Sequence, residues 1–216
     1  GTVSGDGGGG TLELASREVT VDRPSVFAEP RMKFDTLGAR SSWQANAGQI
    51  VVDLKKVEFQ NPDAAGEISG SYRTVPDGPG EIDVSAEIKR ATGSAVGRYI
   101  PLAVGQNVRD WLNEALVGGL ASESTLRLKG DLAKFPFRDG KDGIFQVKGR
   151  FRGAVLRFAA GWPEIRGVDG ELLFDGVRML IKASKGTLLG GTIAAVTAEI
   201  PDLESMEEML HIAGKV

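Results

Sequence analysis

Glu171-Leu172-Leu173-Phe174-Asp175-Gly176-Val177-Arg178-Met179-Leu180-Ile181 holds two apolar runs joined by Asp-Gly, the strongest short-range signal of a β-hairpin. A type I′ turn at Asp175-Gly176 pairs Phe174 with Val177 and Leu172 with Met179. Side chains alternate between the faces of a strand, so this register gathers Leu172, Phe174, Val177, Met179 and Ile181 on one side. Glu171, Leu173, Arg178, Leu180 and Lys182 fall on the other. One face is wholly apolar and the reverse is mixed.

The same alternation extends outward. It is clearest in Thr11–Leu14, Glu18–Asp22, Ile50–Leu54, Glu81–Lys89, Thr125–Lys129 and Ile144–Phe151. Further strands are expected at Arg31–Asp35, Ala39–Ala45, Lys56–Gln60, Glu67–Thr74, Ala154–Phe158, Glu171–Phe174, Val177–Ala183, Thr192–Ile200 and Met209–Val216, about a dozen in all. The 30 glycines are spread through the chain and punctuate these segments, which fits β structure better than a linker. One stretch keeps a different period: Val108, Trp111, Leu112, Ala115 and Leu116 form the apolar stripe of an amphipathic helix over 107–117, with Asn107 as N-cap and Gly118-Gly119 as stop.

Composition narrows the function classes. In 216 residues, 26 Lys+Arg against 29 Asp+Glu give a net charge of -3 with the signs interspersed, unlike the basic face of a nucleic-acid-binding domain. With no cysteine and only His211, disulfides, thiolate sites and two-histidine metal motifs are absent. The uncharged runs Tyr99–Val108 and Gly186–Ala198 fall short of the roughly 17–25 apolar residues of a spanning helix. Gly1 and the strand-like end at Val216 suggest an internal segment of a longer chain, read as one unit over 1–216 with sub-segments 1–95 and 96–216. No catalytic site, cofactor or metal is expected. Gly5–Gly10 formally matches GxGxxG but precedes a strand pattern rather than a helix, so a leader or turn is the better reading. No Walker-type phosphate loop or nucleophile elbow occurs. His211 reads as an ordinary strand position, and the pairs Glu207-Glu208 and Asp139/Asp142 sit in polar or turn contexts. Trp43, Trp111 and Trp162 suit core or turn packing better than a sugar platform.

A dozen strands about 4.8 Å apart make a sheet approaching 60 Å wide, whereas one helix is about 10–12 Å across. The helix cannot cover the sheet. The apolar face must close into a barrel, fold into a sandwich, or curl into a groove filled by another apolar substance. The residues alone leave these open.

A resemblance chooses among them. Val96-Gly97-Arg98-Tyr99-Ile100-Pro101-Leu102, the Trp111-Leu112 helix, Gly130-Asp131-Leu132-Ala133-Lys134-Phe135-Pro136-Phe137, Gly143-Ile144-Phe145 and Gly161-Trp162-Pro163 follow one another in an order that resembles the AsmA-like proteins of the YhdP type. Upstream, Leu12-Glu13-Leu14, Val26-Phe27, Trp43 and Gly66–Arg73 agree with it, so the likeness covers nearly the whole chain. It implies a mainly β fold: a long curled antiparallel sheet, taco-like, whose hydrophobic groove carries phospholipid acyl chains between the membranes of a Gram-negative envelope. It also implies a longer periplasmic protein tethered to the inner membrane by an anchor outside this segment. Its partners would be the rest of the same chain and an unknown outer-membrane docking partner, with no nucleic acid.

For the groove floor the expected residues are Ile82, Val84 and Ile88; Val147 and Phe151; Leu156 and Phe158; and Leu172, Phe174, Met179 and Ile181. Phe135, Pro136 and Phe137 are expected to shape a strand-end turn or pack the helix. Two other classes remain: a closed β-domain acting as an envelope scaffold or interaction module, and a carbohydrate-binding β domain.

Overall fold

The computed structural model describes residues 1–158, 161–205 and 210–215. Among them are twelve strands: β1 (Thr2–Asp6), β2 (Gly9–Asp22), β3 (Arg31–Asn46), β4 (Gln49–Gln60), β5 (Ala64–Arg73), β6 (Glu81–Thr92), β7 (Leu116–Asp131), β8 (Gly143–Leu156), β9 (Ile165–Asp175), β10 (Arg178–Leu188), β11 (Gly191–Ile200) and β12 (His211–Lys215). Each pairs antiparallel with its successor in one sheet ordered β1 to β12, and the two edge strands do not meet. The sheet is therefore an open meander and not a barrel. Pairing of β6 with β7 from Glu81↔Asp131 to Thr92↔Leu120 carries it through the middle of the chain without a break.

Several strands are longer than the alternation suggests. β2 joins Thr11–Leu14 to Glu18–Asp22 through Glu18, which has a positive φ of 50°. β4 joins Ile50–Leu54 to Lys56–Gln60 across a register shift between Leu54 and Val57. β3 and β8 likewise merge segments that read separately. An extra residue in a bulge shifts the period-two pattern by one, so a continuous strand looks like two short ones. Residues Gly1–Gly10 are not a free leader: β1 turns at Gly7-Gly8 and pairs with the start of β2.

The decisive hairpin is shifted from its expected register. Phe174 pairs with Met179 and Leu172 with Ile181, leaving Gly176-Val177 as the two-residue loop. Gly176 has a positive φ of 58° and Val177 does not. A Gly-X loop of type II′ character needs that pattern, whereas type I′ needs positive φ at both positions. The pairing moves by two residues, an even number, so the faces stay as expected.

The helix, α1 (Gln106–Ala115), begins after Gly105 with no side-chain cap and stops before Leu116. Leu116 leaves the expected stripe because it opens β7 and pairs with Leu156. The stripe itself is kept, with Val108 and Ala115 buried.

A polar tie fixes the connections at one end of the sheet. Buried Asn61 donates through Nδ2 to the Lys33 carbonyl at 2.9 Å and to the Tyr99 hydroxyl at 2.7 Å, while its Oδ1 accepts from the Ala64 amide at 2.8 Å. The Tyr99 hydroxyl donates to Asp63, and Arg98 pairs with both Asp63 and Glu29. Burial pushes the Tyr99 phenol up from its ordinary range. At the other end Phe137, 3% exposed, is wedged into the β7–β8 turn beside Phe135, which also meets Phe145 with ring centroids 5.1 Å apart. The Phe135-Pro136-Phe137 run thus shapes a strand-end turn.

The accessible surface is 12906 Å². A compact monomer of this mass exposes about 9,600 Å², so about a third more surface stays in contact with solvent than a closed domain would leave.

Gly70 has φ +138°, and a Cβ there would stand 2.1 Å from the Asp83 carbonyl and 2.6 Å from the Val84 Cα of β6. Gly70→Val should separate β5 from β6 and cost about 2 kcal/mol or more, seen as faster hydrogen exchange of both strands in the full-length protein. Gly7→Ala, whose added Cβ meets nothing within 4 Å, should leave exchange unchanged.

Candidate functional site

Followed from partner to partner across the ladders, one row of side chains runs through ten strands. Leu14 stands beside Ala39, Ala39 beside Val57, Val57 beside Ile68, and Ile68 beside Ala86. The row continues through Leu126, Val147, Phe174 and Met179 to Ile200. It contains no polar side chain. Nine interstrand gaps of about 4.8 Å make it about 43 Å long, perpendicular to the strands. A parallel row holds Leu12, Ser41, Leu54, Gly70, Val84, Leu128 and Phe145. On its other side lie Leu172, Ile181 and Ala198.

The reverse face carries charge in matching rows. Asp83 meets Arg127 at 2.5 Å and Lys129 at 2.9 Å; Lys56 meets Glu58 at 2.8 Å and Glu67 at 3.6 Å; Arg178 meets Glu199 at 2.6 Å; Arg150 meets Glu123 at 2.8 Å and Glu171 at 3.4 Å. Hydrogen bonds from Lys129 and Arg127 hold the Asp83 carboxyl below the usual carboxylate range, and Arg178 does the same for Glu199. Such exposed pairs add little stability individually. Their effect is to keep this face wet and in register. A hollow of about 450 Å³ opens on this side, over Ala15, Gly38 and Ala65 between Arg17, Glu58 and Lys89. Its lining mixes these with Leu37, Phe59 and polar residues, and the apolar row does not enter it.

All the strand residues expected on the groove floor share the face of the row. Ile82, Ile88, Val147, Phe151, Leu172 and Phe174 are half-buried, while Val84, Leu156, Met179 and Ile181 are buried. Phe158 follows β8, half-buried, in the connection to β9. These residues divide by what covers them. Met179, 1% exposed, forms a cluster with Ile181 and Ala198 beneath Trp111, Phe158, Leu203 and Leu210. The Trp111 indole N–H donates to the Phe158 carbonyl at 3.0 Å, and the two rings lie 6.4 Å apart. Leu156 packs with Ala154 and Val168 in an adjoining cluster that also takes in Leu116, Phe151 and Ile165. From β8 to β11 the apolar face is therefore roofed by the protein itself. From β2 to β7 the row residues Leu14, Ala39, Val57, Ile68 and Leu126 keep part of their surface accessible, with Ala86 buried.

The sequence reading passed over this accessible run of the row. Its signal was present in Thr11–Leu14, Ile50–Leu54 and Thr125–Lys129, but without the ladder nothing connected those segments into one line. The roof was not legible either. Among the described residues no group of metal-ligating side chains occurs, and no helix is long and apolar enough to cross a membrane. His211 lies exposed on β12 opposite Glu199. Trp43 stands on the apolar face opposite Gly10 and Val52, and Trp162 is exposed in the β8–β9 connection. The Glu207-Glu208 pair lies outside the described residues.

The model of the YhdP protein family matches residues 1–216. The chain is 30% identical to the intermembrane phospholipid transporter YhdP of Escherichia coli strain K12, over 97% of this chain and 16% of that protein. No solved structure matches. The chain belongs to the YhdP family, and it spans about a sixth of the length of this relative.

The roofed cluster sets a stability expectation. Met179→Ala should cost about 2–5 kcal/mol through the cavity it opens, whereas Ile68→Ala in the accessible run should cost visibly less. Protease susceptibility of the two variants, measured side by side in the full-length protein, checks the difference.

Proposed function

We propose that this YhdP-family segment is part of a non-enzymatic conduit, in which phospholipid acyl chains lie along the apolar row while the charged reverse face meets water. The single observation that carries the reading is the row itself: ten strands present apolar side chains in one unbroken line on a sheet that, among the described residues, no second sheet pairs into a sandwich. The large accessible surface and the transporter name of the E. coli relative support it.

The physics suits transport better than storage. Each methylene moved from water onto such a surface gains about 0.8 kcal/mol, and the attraction is non-directional. The accessible run from β2 to β7, about 24 Å across its five gaps, exceeds the roughly 15 Å of one bilayer leaflet, so a tail covers only part of it. Shifting by one strand exchanges one set of hydrocarbon contacts for an equivalent set. The charged headgroup stays at the open side of the face, where solvation costs nothing.

In this reading the full-length protein crosses the periplasm between the two membranes, is held to the inner membrane by a part of the chain outside this segment, and carries the lipid path past this segment along the accessible run on the β2 side. The floor is made by Ile82, Val84, Ile88 and their neighbours in the accessible run, with Val147 at its border with the roofed part. The cluster around Met179 and Leu156 favours a second role for β8–β11: there the face is a closed core that holds α1 in place and gives the sheet a rigid side.

Substitutions by glutamate separate the two roles. A charge at Met179 is buried without a partner, costing several kcal/mol of a total of about 5–15, so Met179→Glu should unfold the segment. Ile68→Glu and Leu126→Glu should leave it folded, because water reaches those positions, yet lose phospholipid recovered by extraction and mass spectrometry. If both stay folded and retain wild-type lipid, the row is not the lipid path; if both unfold, the whole face is closed core.

A further inference from the structure

The connection from β6 to β7 leaves the sheet and is then fastened to it at two distant places. Its 3-10 turn, Gly93–Tyr99, ends on a clasp. Arg98 pairs with Glu29 of the β2–β3 connection at 3.0 Å and with Asp63 of the β4–β5 connection. The Tyr99 hydroxyl accepts from Asn61 at 2.7 Å and donates to Asp63 at 3.0 Å. Pro101 then bridges to Phe27, and the Leu102 amide donates to the Val26 carbonyl at 2.8 Å. Further along, Trp111 lies in the roof, against the cluster of Met179, Ile181 and Ala198 and bonded to the Phe158 carbonyl. One short piece of chain thus joins the β2–β3 end of the accessible run to the core on β10 and β11.

That piece is too short for a flat sheet. From Leu102 to the start of α1 at Gln106 the chain covers at most about 14 Å, and the helical steps to Trp111 add about 7.5 Å. On a flat sheet the start of β3 would lie about 34 Å from β10 across the strands, and about 26 Å along them from the row that holds Ala39 and Met179. Together these place the two fastenings over about 40 Å apart, a gap that an indole ring does not make up. The sheet between β3 and β10 is therefore bent toward the roof, and the β6–β7 connection spans the bend as a chord.

We propose that this connection is a brace whose length sets the bend of the accessible run, with Arg98 and Tyr99 as positioning residues for the acyl chains lying there. This rests on the conduit reading above. A tail on a flat face is covered from one side only. A bent face brings apolar side chains around more of the tail and removes more methylene surface from water. Arg98 and Tyr99 act without touching lipid, by holding the β2–β3 and β4–β5 connections to the brace.

The experiment lengthens the brace and leaves both fastenings in place. In the full-length protein freed of other cysteines, Gly-Ser-Gly-Ser is inserted between Val104 and Gly105, where an added Cβ meets nothing within 4 Å. Nitroxide labels on Ser25→Cys and Leu189→Cys, both exposed, report the span by double electron–electron resonance. In a separate sample without labels, p-benzoylphenylalanine in place of Ile68 reports phospholipid on the accessible run by the mass of its adduct. The insertion adds up to about 13 Å of chain, so the label distance should lengthen by about 5 Å or more and the phospholipid adduct should fall severalfold. The double variant Arg98→Gln/Tyr99→Phe should lower the adduct in the same way. Phe27 and Pro101 stand as a non-hydrogen-bonded antiparallel pair, about 4.5 Å apart and within disulfide reach. Adding Phe27→Cys and Pro101→Cys to the double variant should therefore restore the adduct when oxidised and not when reduced. An unchanged label distance after the insertion overturns the brace and leaves the conduit reading intact. A longer distance with an unchanged adduct overturns the positioning role, and failure of the oxidised pair to restore the adduct overturns the assignment to Arg98 and Tyr99. Absence of a phospholipid adduct at position 68 without any insertion overturns the conduit reading and the positioning role together.

Discussion

A hydrogen-bonded strand must put alternate side chains on opposite faces, and everything else in this molecule follows from that constraint acting twelve times in succession. Backbone pairing fixes which residues stand side by side, so a pattern written separately into each strand becomes a continuous property of the sheet. Leu14 and Ile200 are far apart in the chain, yet the ladder sets them in one line. The charged residues obey the same rule on the reverse. Asp83 is flanked by Arg127 and Lys129 because β6 and β7 are in register, and that register in turn sets Val84 beside Leu128 on the apolar face.

Much of the fold was legible because parity is robust. The hairpin at 171–181 was expected one turn type away from its actual geometry, but the error moved the pairing by an even number, and Leu172, Phe174, Met179 and Ile181 stayed together. Bulges were less forgiving. The extra residue between Leu54 and Val57, and the positive φ at Glu18, each broke the local alternation and cut one strand into two in the sequence. Helix ends failed for a related reason: the stripe continues to Leu116, but the hydrogen bonds of β7 claim that residue first. The roof was invisible because it depends on long-range packing, bringing Trp111 onto Phe158 and Leu203 onto Met179, for which local periodicity holds no information.

The face is consequently not uniform. Where α1 and the connections fold over it, its side chains are satisfied by protein and include Met179 and Val168, the largest fully buried side chains among the described residues. Elsewhere they are satisfied only by each other and by whatever lies above them. A small closed core beside a longer open run resolves an old difficulty for single-layer sheets, which cannot hold an apolar face without a second layer. Stability is concentrated in the roofed part, and the open part inherits it through the ladders.

The order of pairing has a mechanical side. In a meander, interstrand hydrogen bonds point across the strands, along the direction in which β1 is separated from β12. Tension applied between those edges pulls each ladder along its own bonds, and opening one ladder leaves its neighbours loaded but whole. A sheet strung this way between two anchored points lengthens by peeling strands in sequence from an edge, and each peeled strand can re-pair when the load falls. The five residues of β1 hold only the first part of β2, from Gly9 to Glu13, and the five of β12 pair with β11 across a register shift, so the two edges are the soft links of the described series. The molecule is built as an extensible ribbon whose stiffest portion is the one that carries the roof.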